Sequence, residues 1–466
     1  MATRADAALA RGDRYVPVSR GPDRVDEGGL FHPLARGDHA ARALVVVTSA
    51  LVIFGTIFVA LSSEGQSAAD GGTVFSITIH DVAYLVLGVV GFYLLARVRL
   101  DRLVRVAPAA MGAGLVMLLA VKAVGVETNG GKRWLNLHAI DLQPSEIFKL
   151  CTVLFLAWLV QWHHEELNDW KQLVFRTLPI WLGCGLIVLE PDLGTASVVL
   201  VIAVTMLAVA GLSRRLLAGS LVCLGVAVGA YLISDPYSAK RFFSFLHPNT
   251  NLASSGYQLL QSRIGLGAGG VSGLGLGHSR EIWGLLPNPQ TDFIFSVIGE
   301  ELGVVGTMAV IALFVAFLFV ALRIARQCTN QMYRIIAVGI TTWIVVEALI
   351  NISSVVGWWA VTGVPLPFFS YGGTALITEL AAVGVLYNIA HDRSRSSDLS
   401  IPARVRVVSP RPASRAPRPA VRAARSAPRP TARAPRRPAD RRYAPRPQPR
   451  RGPGDPRRNP RHTERY

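Results

Sequence analysis

The residues able to do chemistry lie in a few short stretches of an apolar chain. Asp292 opens a long hydrophobic run, and Glu300 and Glu301 follow two helical turns further in. Eight residues turn a helix by roughly 80° beyond two full turns, so Asp292 and Glu300 can share a broad face. Ser296, Gly299 and Gly303 make that face thin enough for another helix or a ligand to approach closely. Glu146 and Lys149 are i, i+3 neighbours behind Pro144, which suits a first helical turn. Charges of this kind are costly inside a membrane and face a polar cavity or one another. The alternatives are structural: Asp292 as a helix N-cap, and Glu146–Lys149 as a salt bridge that closes a helix start. Capping gives no reason for two glutamates inside the run.

Other polar stretches fall on the same side of the chain's expected topology. Gly130-Gly131-Lys132-Arg133-Trp134 precedes the Glu146–Lys149 pair. Glu190-Pro191-Asp192 is a tight link in which Asp192 reads as the cap of the next helix. A long segment from about 234 to 292 holds Lys240-Arg241 and a glycine-rich stretch, Gly265 to Gly277. No Gly-Lys-Ser/Thr follows those glycines, so this is no Walker loop. It could bend amides around a phosphate or lie as a flexible surface loop. Val364-Pro365-Leu366-Pro367-Phe368-Phe369-Ser370-Tyr371-Gly372-Gly373 is broken by Pro and Gly in a way tolerated at membrane depth only where it lines a cavity or packs in protein. Glu347, Asn351 and Glu379 add polar groups to two further apolar runs, as functional residues or as interhelical hydrogen-bonding groups. There is no His-Glu-x-x-His, no metal constellation and no defensible Ser/His/Asp set. The four cysteines read as small hydrophobes rather than a disulfide framework.

The elements that must position these residues are membrane spans. Of 466 residues, 51% are hydrophobic and 17% charged, against about 25% charged in a soluble protein. Ten apolar runs are long enough to cross hydrocarbon, near 43–62, 82–98, 105–125, 146–162, 173–189, 193–211, 216–233, 293–322, 335–356 and 374–391. The expected fold is therefore an all-α membrane protein of about ten transmembrane helices, with a large extracytoplasmic loop between spans 7 and 8. The first run lacks the features of a cleaved signal peptide and reads as a signal anchor. Arg97, Arg99, Arg102, Arg105, Arg214, Arg215, Arg323, Arg326 and Arg334 all fall on one side if both termini are cytoplasmic.

The net charge of +18 is a property of the tail. From His391 onward there are 22 Arg and 5 acidic residues, which leaves 26 basic and 25 acidic residues in the first 390. A compact nucleic-acid-binding domain is excluded, and nucleic acid is not an expected partner. Three regions follow: a disordered cytoplasmic leader over 1–41, a membrane domain over 42–391, and a disordered Arg/Pro-rich cytoplasmic tail over 392–466. The tail is suited to anionic lipid or acidic cytosolic proteins.

Taken in order, Gly-Lys-Arg-Trp with Gln143-Pro144-Ser145-Glu146 and Lys149, Pro191-Asp192-Leu193-Gly194-Thr195-Ala196, Gly256-Tyr257-Gln258, Thr291-Asp292-Phe293-Ile294-Phe295 with Glu300-Glu301, and Pro365-Leu366-Pro367-Phe368 with Ser370-Tyr371-Gly372-Gly373 resemble the SEDS family (shape, elongation, division and sporulation) of bacterial membrane proteins. The resemblance covers about 43–391. The stretch Gly277 to Pro289 and the basic tail look most like the division members, with the elongation members as the close alternative. Two positions depart from the pattern: Glu190 stands where Gln is usual, and Ser353 where Gly is usual.

The resemblance implies a peptidoglycan glycosyltransferase in the bacterial cell membrane, working at the septum. Its substrate would be lipid II, a disaccharide-pentapeptide on undecaprenyl diphosphate, and its partner a class B penicillin-binding transpeptidase. It places the catalytic aspartate on Asp292, as general base for a sugar hydroxyl. The diphosphate leaves already anionic and calls for cations or amides rather than a strong acid. The substrate-facing set is Lys132, Arg133, Glu146, Lys149, Arg241, Glu300 and Ser370. No cofactor is implied, and a divalent-cation requirement stays open. The competing readings are a lipid II flippase, for which Glu347 would be the coupling charge, and a scaffold that acts through its tail.

Overall fold

The structure is a computed structural model. It describes residues 39–63, 76–128, 131–136, 141–163, 165–234, 255–287 and 289–398, with isolated positions 239, 243 and 245. All but the ends of the expected leader and tail, and also Lys240 and Arg241, lie outside the described residues.

Ten helices occupy the ten apolar runs. They are α1 (His39–Ser62), α2 (Ser76–Arg97), α4 (Ala107–Val124), α5 (Pro144–His163), α6 (Trp170–Val188), α7 (Leu193–Val209), α8 (Arg214–Ser234), α10 (Ile294–Gln327), α11 (Gln331–Val356) and α12 (Thr374–Asp398). Two more helices connect them: α3 (Leu100–Arg105) and α9 (Ser255–Gly269). Among the described residues eight helices are long and apolar enough to cross a membrane, and α7 is a shorter apolar helix. The chain is an all-helical, multi-span membrane protein with one small addition. Strands β1 (Val126–Thr128), β2 (Gly131–Asn136) and β3 (Asp141–Leu142) form an antiparallel sheet in order β1-β2-β3 between α4 and α5. The last helix continues past 391, to Asp398.

Three spans are enclosed by the others. In α5, α11 and α12, 72%, 61% and 83% of the most apolar stretch is buried, against 22% in α2. These are the helices that carry Glu146, Lys149, Glu347, Asn351 and Glu379, so the polar groups are sheltered from lipid as their cost requires. Phe148 of α5 is fully buried against Gly183 of α6 and Gly114 of α4, and the small residues let the helices close on the ring.

The eighth span is not one continuous helix. Gly303 interrupts α10 at φ 65, ψ −158. A Cβ there would lie 2.5 Å from the amide nitrogen of Gly273 and the carbonyl of Val271, so only glycine fits. The break frees backbone groups that the glycine-rich segment satisfies. Leu274 N–H donates to the Glu300 carbonyl and Gly275 N–H to the Glu301 carbonyl, each at 3.0 Å. In return Val304 and Val305 donate to the carbonyls of Gly270 and Val271. These two glycine-rich amides are therefore spent on the broken helix rather than on a phosphate. Irregular backbone at a span survives where such partners exist.

The segment 362–373 returns into the bundle between α11 and α12. Phe368 and Phe369 pack on Phe317 and Phe314 in the middle of the second half of α10. The Phe368 carbonyl sits where a Cβ on Gly55 of α1 would be.

Candidate active site

Asp292 lies in a turn just before α10, half-buried. The helix is capped by Phe293 with no side-chain capping bond, so Asp292 is not the N-cap. Its Oδ1 accepts from Thr291 Oγ1 at 2.8 Å. Its main chain is held from α11: Asn351 Nδ2 donates to the Asp292 carbonyl at 2.8 Å and to the Val364 carbonyl at 2.9 Å. Tyr371 N–H donates to the Gln290 carbonyl at 2.8 Å. The Asp292 turn and the re-entering segment are thus joined twice.

One helical turn along α11 from Asn351 is Glu347, about 6 Å away along the axis. Glu347 is ion-paired with Lys149 of α5, and Lys149 also binds Glu146 at 2.7 Å. Trp343, a further turn along, presents its ring 5.0 Å from the ammonium. Glu379 of α12 closes the cluster and accepts from Phe368 N–H at 2.8 Å. All four charged side chains are 0–1% exposed. The Glu146–Lys149 pair that the sequence spacing suggested is real, and its third member comes from 198 residues away. A stripe of α11, Trp343-Glu347-Asn351 at i, i+4, i+8, links this cluster to the Asp292 turn. Glu347 and Asn351 stood out in the sequence as polar residues of an apolar run, whereas Trp343 carried no sign of its role.

The remaining candidates have other duties. Arg133 donates to the carbonyls of Glu190 at 2.9 Å and Pro191 at 2.6 Å, and Lys122 reaches the Leu189 carbonyl. Together they satisfy the unpaired carbonyls at the end of α6 and dock the sheet on the α6–α7 link. Lys132, the next residue along β2, is exposed. Asp192 caps α7 through Thr195 N–H, as expected. Glu300 receives Ser279 Oγ and the amides of Arg280 and Glu281, and so fastens the loop to the first half of α10. Ser370 accepts from Leu366 N–H at 2.7 Å inside its own turn. Arg241 lies outside the described residues.

Two buried carboxyls in connections between the helices are displaced in titration. Burial, reinforced by nearby Asp192 and opposed by Arg133 and Lys122, pushes Glu190 up to about 8. Burial likewise pushes Glu281 up to about 8; it lies against Gly265, with Glu300 nearby. Nothing in the sequence marked Glu281. Among the described residues no group of three His, Cys, Asp or Glu side chains could hold a metal ion.

The fold and this arrangement define a polytopic membrane protein with a carboxylate at the mouth of a broken span and a sealed charge cluster behind it. Residues 41–395 match the family model FTSW_RODA_SPOVE, described as cell cycle protein. The chain is 34% identical over 352 residues to a probable peptidoglycan glycosyltransferase FtsW of Methylococcus capsulatus, covering 74% of this chain and 88% of that one. It is 38% identical over 279 residues to stage V sporulation protein E of Bacillus subtilis, covering 59% and 76%. A chain in the solved structure of a peptidoglycan synthase complex, described as coordinating polymerization and crosslinking, superposes with a TM-score of 0.64 at 28% identity over 77% of this chain and 99% of that one. The chain belongs to the FtsW/RodA/SpoVE family, the SEDS proteins.

Proposed function

We propose that this protein polymerises lipid II into glycan strands on the outer face of the cell membrane, with Asp292 as general base. In the step, Asp292 takes the proton of an acceptor sugar hydroxyl. That oxygen bonds to the donor's anomeric carbon with inversion, and the bond to the diphosphate breaks. The leaving diphosphate carries its own charge and asks only for electrostatic stabilisation. Membership of the family and the activity named for its relatives support the reading. The observation that carries it is the placement of Asp292: a carboxylate that is not the N-cap of α10, held through its main chain by Asn351, which itself stands one helical turn along α11 from the Glu347–Lys149 pair.

Among the described residues Lys132 is the exposed cation of the proposed substrate set, and Lys149 is buried and paired with Glu146 and Glu347. Glu347, on which a transporter reading would rest, is ion-paired to Lys149. Likeness to the division members and to a peptidoglycan synthase complex supports a septal role beside a class B penicillin-binding transpeptidase. The tail would recruit cytosolic division proteins or bind anionic lipid. The test is polymerisation of purified lipid II by the purified chain, alone and with its cognate transpeptidase. Glycan strands in either case support the proposal, and none in both refutes it. A fluorescent fusion placed along the side wall rather than the septum would move the role to elongation.

A further inference from the structure

We infer that Asn351 is a positioning residue for Asp292. The inference rests on the reading of Asp292 as the base. Asn351 is 2% exposed on the enclosed helix α11. Its single amide nitrogen donates both protons to main-chain carbonyls of different segments, Asp292 before α10 and Val364 in the re-entering segment. Its own carbonyl oxygen has no hydrogen-bond partner among the described residues. The side chain is therefore oriented by the two bonds it donates, and the bonds it makes to the base are to the base's backbone. That leaves the Asp292 carboxylate unobstructed by Asn351 while fixing where it starts from. An aspartate here would set a carboxylate against two carbonyl oxygens, and an alanine would free both segments.

A matched control exists in the same fold. Asn388 of α12 also donates one amide to two carbonyls, Leu95 at 2.9 Å and Val98 at 2.6 Å, at the end of α2 far from Asp292 in the chain's topology. It is 6% exposed, so its removal costs the fold a comparable pair of bonds. Asn388 makes none of its described contacts with the Asp292 turn.

The experiment is steady-state lipid II polymerisation by full-length Asn351→Ala, Asn388→Ala and Asp292→Ala proteins, with the partner transpeptidase where the wild type needs it. Displacing a reacting group by about 1 Å costs up to about 100-fold, so Asn351→Ala should lower kcat about 10- to 100-fold. Its KM should stay within about twofold, because the loss is confined to the reacting geometry. Asn388→Ala should keep kcat within about twofold while losing thermal stability similarly. Equal loss of kcat in the two asparagine variants, or wild-type kcat in Asn351→Ala, would overturn the positioning role. A rise in KM at unchanged kcat would overturn it too. If Asn351→Ala does not accumulate, Asn351→Ser, which keeps one hydroxyl donor but shortens its reach, is read by the same criteria. Normal polymerisation by Asp292→Ala would instead refute the base assignment, so the two failures are distinct.

Discussion

Asn351 and Asn388 make the same pair of hydrogen bonds at opposite ends of one helical bundle, yet their surroundings differ. The Asn388 end is ordinary. Helices there stop regularly, and Arg97, Arg105, Arg214, Arg215, Arg323, Arg326 and Arg334 point outward as exposed charge. The Asp292 end carries three costly features: four charged side chains sealed from solvent, a span broken at Gly303, and a Pro/Gly-rich segment folded back to the middle of the second half of α10. Folding alone needs none of these. A bundle with apolar residues at 146, 149, 347 and 379 would be as well packed, and replacing a buried ion pair that way is often neutral or stabilising. The expense at one end is what a site requires.

The comparison can be broken at several points. Lys149→Ala leaves Glu146 and Glu347 buried without their cation and should cost about 3–5 kcal/mol, read as a large drop in Tm in detergent. Arg334→Ala at the other end should change stability by less than about 0.5 kcal/mol. Gly303→Ala forces a side chain into a left-handed backbone position, a strain of about 1–3 kcal/mol. It should also loosen the strap from Gly270 to Gly275, seen as faster amide exchange at Leu274 and Gly275. Arg133→Ala strips donors from the Glu190 and Pro191 carbonyls and should cost about 1 kcal/mol. Lys132→Ala should leave Tm unchanged and lower the rate of lipid II polymerisation.

The last effect is a dependence on pH. Folded Glu190 holds its proton up to about 8, against an ordinary value of 4.5. The unfolded chain gives up that proton first, so this group's contribution to stability falls as pH rises from about 4.5 to about 8 and is level beyond. Glu190→Gln should flatten the decline of Tm across that window. Part of the slope should persist, because Glu281 titrates in the same range. An unchanged slope would contradict the displaced titration of Glu190.

Much of this was legible in the sequence where the signal is local. Length and polarity locate ten helices, because each span must satisfy its own backbone bonds. The i, i+3 spacing of Glu146 and Lys149 gives their pairing. What local pattern does not hold is long-range partnership. Gly303 reads as a small residue for close approach, and only the carbonyls of Gly270 and Val271, some thirty residues earlier, make it a break. Arg133 reads as a cation for an anionic substrate, but the end of α6 offers it carbonyls. Glu300 reads as lining a face with Asp292, and its bonds from Ser279, Arg280 and Glu281, some twenty residues earlier, leave no local mark. The sheet was missed because strands of two to six residues leave little periodicity to read.

The central claim is that Asp292 takes the acceptor proton. Its most direct test is polymerisation of purified lipid II by Asp292→Asn, similar in size but far less basic, beside the wild type. The account predicts a protein that inserts and binds its transpeptidase like the wild type but makes no glycan strands. Strand formation at the wild-type rate by Asp292→Asn would contradict it.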